Sequence, residues 1–197
     1  MILSVTNRLL CKKDFQKRLE QIASAKPCGI ILREKDLSAQ EYEKLAKQCM
    51  EICKNYEVPF IINSFVEVAE RLEVGRIQLS MADFLKQHNA LEKFSCVGVS
   101  IHSQSEAKQA EHLGADYLIA GHIYATDCKK DLPPRGLSFL KEVCSAVAIP
   151  IFAIGGIQES CILDVQKSGA RGVCVMSQLM LCDNPEEKVM VYHKCFS

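Results

Sequence analysis

The sequence predicts an α/β protein, a single (β/α)8 TIM barrel of minimal size that spans residues 1–197 as one domain. Short apolar runs typical of β-strands recur eight times, at intervals of about 25 residues. Segments with helical periodicity lie between most of these runs. The runs are continuous rather than alternating, which is typical of parallel strands that are buried on both faces. Alternation of strands and helices indicates a parallel sheet.

The individual elements can be assigned in chain order. Strands are expected at 2–5, 29–32, 60–62, 77–79, 96–100, 117–120, 151–154 and 172–176. Helices are expected at 15–22, 39–53, 66–72, 105–113, 137–147 and 160–168. Ser38 and Ser103 precede two of these helices as N-caps, and each is followed three residues later by Glu. Gly114 and Gly169 follow helix ends, where a left-handed residue is favoured.

Two architectures fit this alternation, a closed barrel and an open doubly wound sheet. A doubly wound nucleotide-binding sheet typically carries G-x-G-x-x-G after its first strand, and this chain has no such motif. We therefore expect the barrel. In such barrels the functional residues lie on the loops that follow the strands.

Composition excludes several classes of function. Lysine plus arginine and aspartate plus glutamate each number 24, and the pI is near 6.9, so no basic field is available to bind nucleic acid. No apolar run approaches the length of a membrane span, and no secretory signal opens the chain. The 11 cysteines include no C-x-x-C pair. We expect reduced thiols in a cytoplasmic protein, with no metal site.

The last two strand-loop junctions are candidates for a phosphate site. Gly155 and Gly156 follow the seventh strand, and Met176 and Ser177 lie where the eighth strand meets a helix start. Glycine allows backbone N–H groups to approach an anion closely, and many barrel enzymes bind phosphate after these two strands. The alternative is that the glycines serve only a tight turn.

The long segment 121–135 and two other junctions carry further candidate residues. His122 follows the sixth strand and is expected to reach the barrel mouth, where it could transfer a proton. His102, after the fifth strand, is either a second candidate or part of a helix cap. Arg33 and Lys35, after the second strand, either bind an anion or form rim salt bridges with Glu34 or Asp36.

The chain resembles the thiamine phosphate synthase superfamily almost from end to end. The resemblance is carried by five segments: Leu32-Arg33-Glu34-Lys35, Ile62-Asn63, Val99-Ser100-Ile101-His102-Ser103, Ile154-Gly155-Gly156 and Val175-Met176-Ser177. Within the superfamily the chain looks most like the thiazole tautomerase branch. Synthases generally carry Gly-Pro and then Thr-x-Thr-Lys in the long loop, whereas this chain has His122 for the proline and Cys128 for the second threonine.

This resemblance implies an isomerase that aromatises a carboxylated dihydrothiazole ethyl phosphate in thiamine biosynthesis, without a cofactor and as a homodimer. It implies His122 as the acid/base residue and Arg33 and Asn63 at the carboxylate end. The phosphate would be held by Gly155, Gly156, Met176 and Ser177, with Thr126, Asp127 and Cys128 closing over it.

Two alternatives to the tautomerase stay open. One is the synthase itself, a transferase that couples a pyrimidine diphosphate to a thiazole phosphate with Mg²⁺. The resemblance places a magnesium aspartate after Asn63, where this chain has Ser64, while Asp83 retains the acid that follows the fourth strand. The other alternative is a catalytically silent protein of the same fold that binds phosphate and acts as a regulator.

Overall fold

The computed structural model describes residues 1–12, 14–126 and 132–196, and it shows a closed barrel of eight parallel strands. The strand order follows the chain, and β8 pairs with β1 to close the barrel. The strands are β1 Ile2–Val5, β2 Gly29–Leu32, β3 Phe60–Asn63, β4 Arg76–Ser80, β5 Cys96–Ile101, β6 Tyr117–Gly121, β7 Ile151–Ile154 and β8 Gly172–Val175.

Helices surround the barrel on its outer face. They are α1 Phe15–Ser24, α2 Ala39–Asn55, α3 Val66–Arg71, α4 Met81–Gln87, α5 Gln104–His112, α6 Gly136–Ala146, α7 Ile162–Lys167, α8 Ser177–Leu181 and α9 Pro185–Cys195. The two expected caps are present: Ser38 forms a capping box with Glu41, and the Ser103 side chain accepts a hydrogen bond from the N–H of Glu106.

Alternate strand residues supply two cores, one between barrel and helices and one inside the barrel. On β2, Ile30 and Leu32 pack toward the helices, while Ile31 belongs to the interior cluster. Tyr117 and Phe152 meet edge to face inside the barrel, with ring centroids 5.7 Å apart. Gly98 leaves room for this packing, because a Cβ at that position would lie 2.1 Å from the Tyr117 ring. Side chains therefore fill the lower part of the barrel interior.

The predicted fold class is confirmed, and the open doubly wound sheet is excluded because β1 pairs with β8 in register Ser4 to Val175. The sequence reading missed α4 and α9. Their apolar residues do not lie on one face: in α4 Phe84 is buried but Leu85 is 43% exposed, and in α9 Val189 is buried but Met190 is 56% exposed, so neither helix has a clear apolar stripe.

The described cysteines are free thiols. Burial raises the pKa of the Cys28 thiol to about 11 and that of Cys53 to about 12, so both remain protonated near neutral pH. Among the described helices, none has the length and apolar character that crossing a bilayer requires.

Candidate functional site

A cavity of about 310 Å³ opens at the carboxyl end of the barrel, where sequence reasoning places the function. Every strand or the loop after it contributes to the lining. Its floor is apolar and includes Ile31, Ile119, Ile154 and Cys174, whereas polar side chains and glycines surround the mouth. An apolar floor with a few polar groups at the mouth is typical of sites that bind small molecules.

Arg33 and Lys35 line the cavity on the β2 side, and Arg8 engages the acids next to them in sequence. Arg8, from the loop after β1, binds Glu34 at 3.2 Å and Asp36 at 2.6 Å. It therefore engages both of the acids that are adjacent to Arg33 and Lys35 in sequence. Within the described residues neither Arg33 nor Lys35 forms a salt bridge, so the rim salt-bridge alternative is wrong.

A buried carboxylate fixes the backbone beneath Arg33. Glu34 is 2% exposed and accepts hydrogen bonds from the Thr6 hydroxyl at 2.6 Å and from the Arg8 backbone N–H at 3.0 Å. The same Thr6 oxygen accepts a hydrogen bond from the Arg33 N–H at 3.0 Å. Because a buried carboxylate must be satisfied by donors, this network ties the loops after β1 and β2 together.

Asn63 and Ser64 follow β3 beside this cationic side. The fully buried Tyr42 hydroxyl donates to the Leu32 carbonyl at 2.6 Å and accepts from the Asn63 N–H at 3.1 Å, which joins the ends of β2 and β3. The Asn63 amide donates to the Ser64 hydroxyl at 2.8 Å, and Ser64 has a φ of 67°. Both side chains are neutral oxygen and nitrogen groups at the cavity wall.

Two histidines line the wall formed by β5 and β6. The His102 Nδ1–H donates to the Gly121 carbonyl at 2.7 Å, and the His122 Nε2–H donates to the Leu132 carbonyl at 3.2 Å. A carbonyl oxygen only accepts, so each of these ring nitrogens carries a proton. His122 is only 5% exposed, and its hydrogen bond spans the two ends of the long loop.

The glycine loop after β7 packs directly against this wall. Gly155 has a φ of 99°, and a Cβ there would lie 2.4 Å from the His122 Cβ. Gly156 has a φ of 65°, and its Cβ would lie 2.3 Å from the Ala125 carbonyl oxygen. Both the left-handed backbone and the close approach require glycine.

Gln178, on α8, joins the loops after β7 and β8. Its amide donates to the Ile157 carbonyl at 2.8 Å, and its oxygen accepts from the Tyr192 hydroxyl at 2.6 Å. The N–H groups of Ser177 and Gln178 lie in the first turn of α8, where an α-helix offers them no carbonyl partner. These N–H groups are therefore available near the glycine loop.

The structure brings eight of the predicted site residues to one cavity: Arg33, Asn63, Thr126, His122, Gly155, Gly156, Met176 and Ser177. Asp127 and Cys128 lie outside the described residues. Ser80 and Gln178, at strand ends where sequence reasoning expects function, also line the cavity, as do Gln78 and Ser100, to which it gave no role. One sequence feature could have identified Gln78 and Ser100 as lining residues. Each is a polar residue near the end of an apolar strand, at a position that faces the barrel interior.

The described residues do not fit a magnesium ion held by protein carboxylates. No aspartate or glutamate of the described segments lines the cavity, and these segments contain no group of three metal-ligating acids, histidines or cysteines. Asp83 instead pairs with Ser80, the N-cap of α4: the Ser80 hydroxyl donates to the Asp83 carboxylate at 2.7 Å, and the Ser80 oxygen accepts from the Asp83 N–H at 3.1 Å. Mg²⁺ prefers several hard oxygen ligands in octahedral geometry, and this wall offers only neutral ones.

Comparison with known proteins extends over most of the chain. A thiamine-phosphate synthase from Fusobacterium nucleatum is 34% identical over 179 residues, which cover 89% of this chain and 87% of the relative. A thiamine-phosphate synthase from Clostridium acetobutylicum is 32% identical over 190 residues, covering 95% and 90%. The structure of a thiamine phosphate pyrophosphorylase from Pyrococcus furiosus matches with a TM-score of 0.85 at 25% identity, covering 99% and 94%.

These relatives correct the expected activity. The interpretation as a thiazole tautomerase, and with it as an isomerase, is wrong, because the relatives at 31–34% identity are named thiamine-phosphate synthase. They support the transferase that the sequence left as the alternative. The tautomerase reading depended on His122 and Cys128 in one loop, and a local difference there carries less weight than similarity along nine-tenths of the chain.

A family model gives the same result at the level of the whole barrel. The model described as thiamine monophosphate synthase matches residues 2–179, from the first strand into α8. This range contains all the residues that line the cavity. The chain therefore belongs to the thiamine monophosphate synthase family.

Proposed function

We propose that this protein is a thiamine-phosphate synthase, a transferase that joins a phosphorylated thiazole to a pyrimidine carried as a diphosphate ester. The observation that carries the proposal is a cavity with two different anion-binding sides. Arg33 and Lys35 provide side-chain charge on one side, and Gly155 and Gly156 provide accessible backbone on the other. A reaction between a diphosphate and a monophosphate needs two such sides.

The barrel topology separates these two sides. β3 lies four strands from β7 in either direction around the closed barrel, so Asn63 and Ser64 lie across the mouth from the glycine loop. The apolar floor lies between them. Two phosphorylated heterocycles could then meet over the floor with their charged groups directed to opposite walls, which supports a bimolecular reaction.

The chemistry is a substitution at the methylene carbon of the pyrimidine. The thiazole nitrogen uses its lone pair to form a new C–N bond, and the C–O bond to the diphosphate breaks. The diphosphate leaves with the electron pair, so no oxidant or reductant is needed. The thiazole nitrogen carries no proton, and the bond-forming step therefore needs no general base.

This chemistry assigns a role to each candidate residue. Arg33, Lys35 and Asn63 would bind the diphosphate and stabilise the charge that develops as it leaves. Backbone N–H groups at Gly156 and Ser177 would bind the thiazole phosphate. Because no proton transfer is required, we assign His122 to positioning: its hydrogen bond to Leu132 holds the ends of the long loop beside the glycine loop.

Four further predictions accompany this proposal. Gly155 and Met176 would shape the phosphate side, and Thr126 with Asp127 and Cys128 would close over the bound substrates. A cytoplasmic location and a homodimer also stay predictions.

The test is to incubate the protein with the pyrimidine diphosphate and the thiazole phosphate and to measure thiamine phosphate and released diphosphate. We expect both products in equal amounts. Arg33→Ala should lower kcat/KM by at least about tenfold, since a hydrogen bond to a charged group contributes roughly 1.5–3 kcal/mol. The matched control is Lys108→Ala, which removes an exposed cation on α5 and should leave the rate unchanged. Binding of both compounds without any product would contradict the proposal and favour the phosphate-binding regulator.

A further inference from the structure

The cavity carries cations but no carboxylates within the described residues, and this is unexpected for an enzyme that would handle a diphosphate through Mg²⁺. The inference below rests on the proposed function. A protein-bound magnesium ion needs hard, negatively charged oxygens, which neutralise its charge and replace part of its hydration shell. The described walls supply Arg33, Lys35, amides, hydroxyls and two histidines instead.

Arg8 explains why the cationic side remains cationic. Glu34 and Asp36 flank Lys35 in sequence and would neutralise this wall if they faced it. Arg8 holds both of them through its guanidinium, and the Thr6 hydroxyl and the Arg8 N–H also donate to Glu34. The Arg8 guanidinium also keeps the pKa of the Asp36 carboxyl below its usual value, so this pairing persists at neutral pH.

Ser64 and Asp83 occupy the positions where the family resemblance places magnesium ligands, and neither is arranged as a ligand. Ser64 offers a hydroxyl that already accepts a hydrogen bond from the Asn63 amide. The Asp83 carboxylate is engaged with the Ser80 hydroxyl at the start of α4. The wall nearest the expected diphosphate therefore presents hydrogen-bond donors from Asn63 and Ser64 beside two cations.

We propose that this protein binds the diphosphate group directly, through Arg33, Lys35, Asn63 and Ser64, without a divalent cation that bridges it to the protein. The charges determine the direction of the effect. Free diphosphate is a polyanion that the two cations attract, whereas a magnesium complex carries two fewer negative charges and meets no carboxylate among the described residues of the cavity wall. Mg²⁺ should therefore weaken binding or leave it unchanged.

The first experiment titrates the full chain with inorganic pyrophosphate by calorimetry, once in a chelator and once with saturating Mg²⁺. We expect saturable binding in the chelator, with an affinity equal to or higher than that in Mg²⁺. Binding that is at least about tenfold tighter in Mg²⁺, a difference of roughly 1.4 kcal/mol, would overturn the proposal.

The second experiment introduces the missing carboxylate with a matched neutral control. Ser64 has a left-handed backbone, which Asp and Asn tolerate better than most residues, so both Ser64→Asp and Ser64→Asn should fold. In the chelator, Ser64→Asp should lose at least about tenfold in pyrophosphate affinity, because a carboxylate then faces the polyanion. Mg²⁺ should restore that affinity. Ser64→Asn adds similar bulk without the charge, so it should lose less affinity in the chelator than Ser64→Asp and should gain none from Mg²⁺.

The two experiments separate this inference from the proposed function. If Ser64→Asp binds as tightly as the wild type in the chelator, Ser64 does not face the diphosphate and the proposal is wrong. If the wild type forms thiamine phosphate but requires Mg²⁺ for pyrophosphate binding, the function stands and the metal-free binding fails. If pyrophosphate binds without metal but no product forms, the binding mode stands and the synthase function fails.

Discussion

The two sides of the cavity mouth are built in different ways, one from charged side chains and one from glycine backbone. On the β2 and β3 side, Arg33 and Lys35 carry charge, and a network around Glu34 fixes the loop beneath them. On the β7 and β8 side, Gly155 and Gly156 have no side chains and act through backbone conformation and close approach. The first side should therefore respond to changes in charge and hydrogen bonding, and the second to any change in shape.

The largest effect is expected from adding one methyl group on the β7 and β8 side of the cavity mouth. Gly156→Ala requires a φ of 65° and places a Cβ 2.3 Å from the Ala125 carbonyl, so strain and steric overlap add. We expect a loss of about 2–4 kcal/mol in the free energy of unfolding, measured by urea denaturation, and loss of thiazole phosphate binding.

Gly114→Ala is the control for this substitution. Gly114 has a φ of 86°, but a Cβ there would meet nothing within 4 Å, so only backbone strain should destabilise the variant. We expect about 1–2 kcal/mol of destabilisation and unchanged ligand binding. Equal losses of stability in the two variants would show that close approach at Gly156 contributes nothing.

A smaller effect is expected from removing one hydroxyl beneath the β2 and β3 side of the cavity mouth. Thr6→Val keeps the shape of the residue but removes the donor to Glu34 and the acceptor for the Arg33 N–H. Because the buried Glu34 carboxylate then has one hydrogen-bond donor fewer, the free energy of unfolding should fall by about 1–3 kcal/mol. Pyrophosphate affinity should fall a few-fold because Arg33 is no longer held.

Thr6→Ser is the matched variant, because it retains the hydroxyl and both hydrogen bonds. It should bind pyrophosphate like the wild type. If Thr6→Val also bound pyrophosphate with wild-type affinity, the network beneath Arg33 would have no role in positioning it.

The smallest effect is expected at the exposed end of the Arg8 network. The Arg8 guanidinium lowers the pKa of Asp36 below its unfolded value. A carboxyl group with a lowered folded-state pKa stabilises the protein above the unfolded pKa, and this stabilisation disappears as the pH falls through the folded value. Asp36→Asn should therefore be slightly less stable than the wild type at pH 7.

The difference between Asp36→Asn and the wild type should vanish in strongly acidic buffer, well below the ordinary aspartate pKa of about 3.9. Urea denaturation at several pH values measures it. The difference at pH 7 should also shrink in high salt, because the pair is exposed. A difference that stays constant with pH would contradict the ionic origin of the effect.

The barrel could be predicted because its signal is local and repeated. Each strand is a short apolar run, as at Ile30–Leu32 within β2, and the loops that follow the strands must meet at one end of a parallel barrel. The gathering of Arg33, Asn63, His122 and Gly155 around one cavity follows from that rule. α4 and α9 were missed because their apolar residues lie on more than one face, as the exposed Leu85 and Met190 show, and such helices have no clear period.

The activity was misjudged because a single loop was given too much weight. His122 suggested acid-base chemistry, yet in the structure its ring donates to the Leu132 carbonyl and packs against the glycine loop. A histidine in such a position serves packing as readily as proton transfer. The similarity of the whole chain to named synthases corrects the reading.

The sequence by itself determined the barrel, the end at which the cavity opens and most of the residues that reach it, since these depend on periodicity and on the order of strands. Only the tertiary structure decided which charges face the cavity. Arg8 is 26 residues from Glu34 in the chain, yet it pairs with Glu34 and Asp36, while Arg33 and Lys35 line the cavity without a salt bridge to another described residue. Such pairing depends on distances between loops that follow different strands, and no local pattern records those distances.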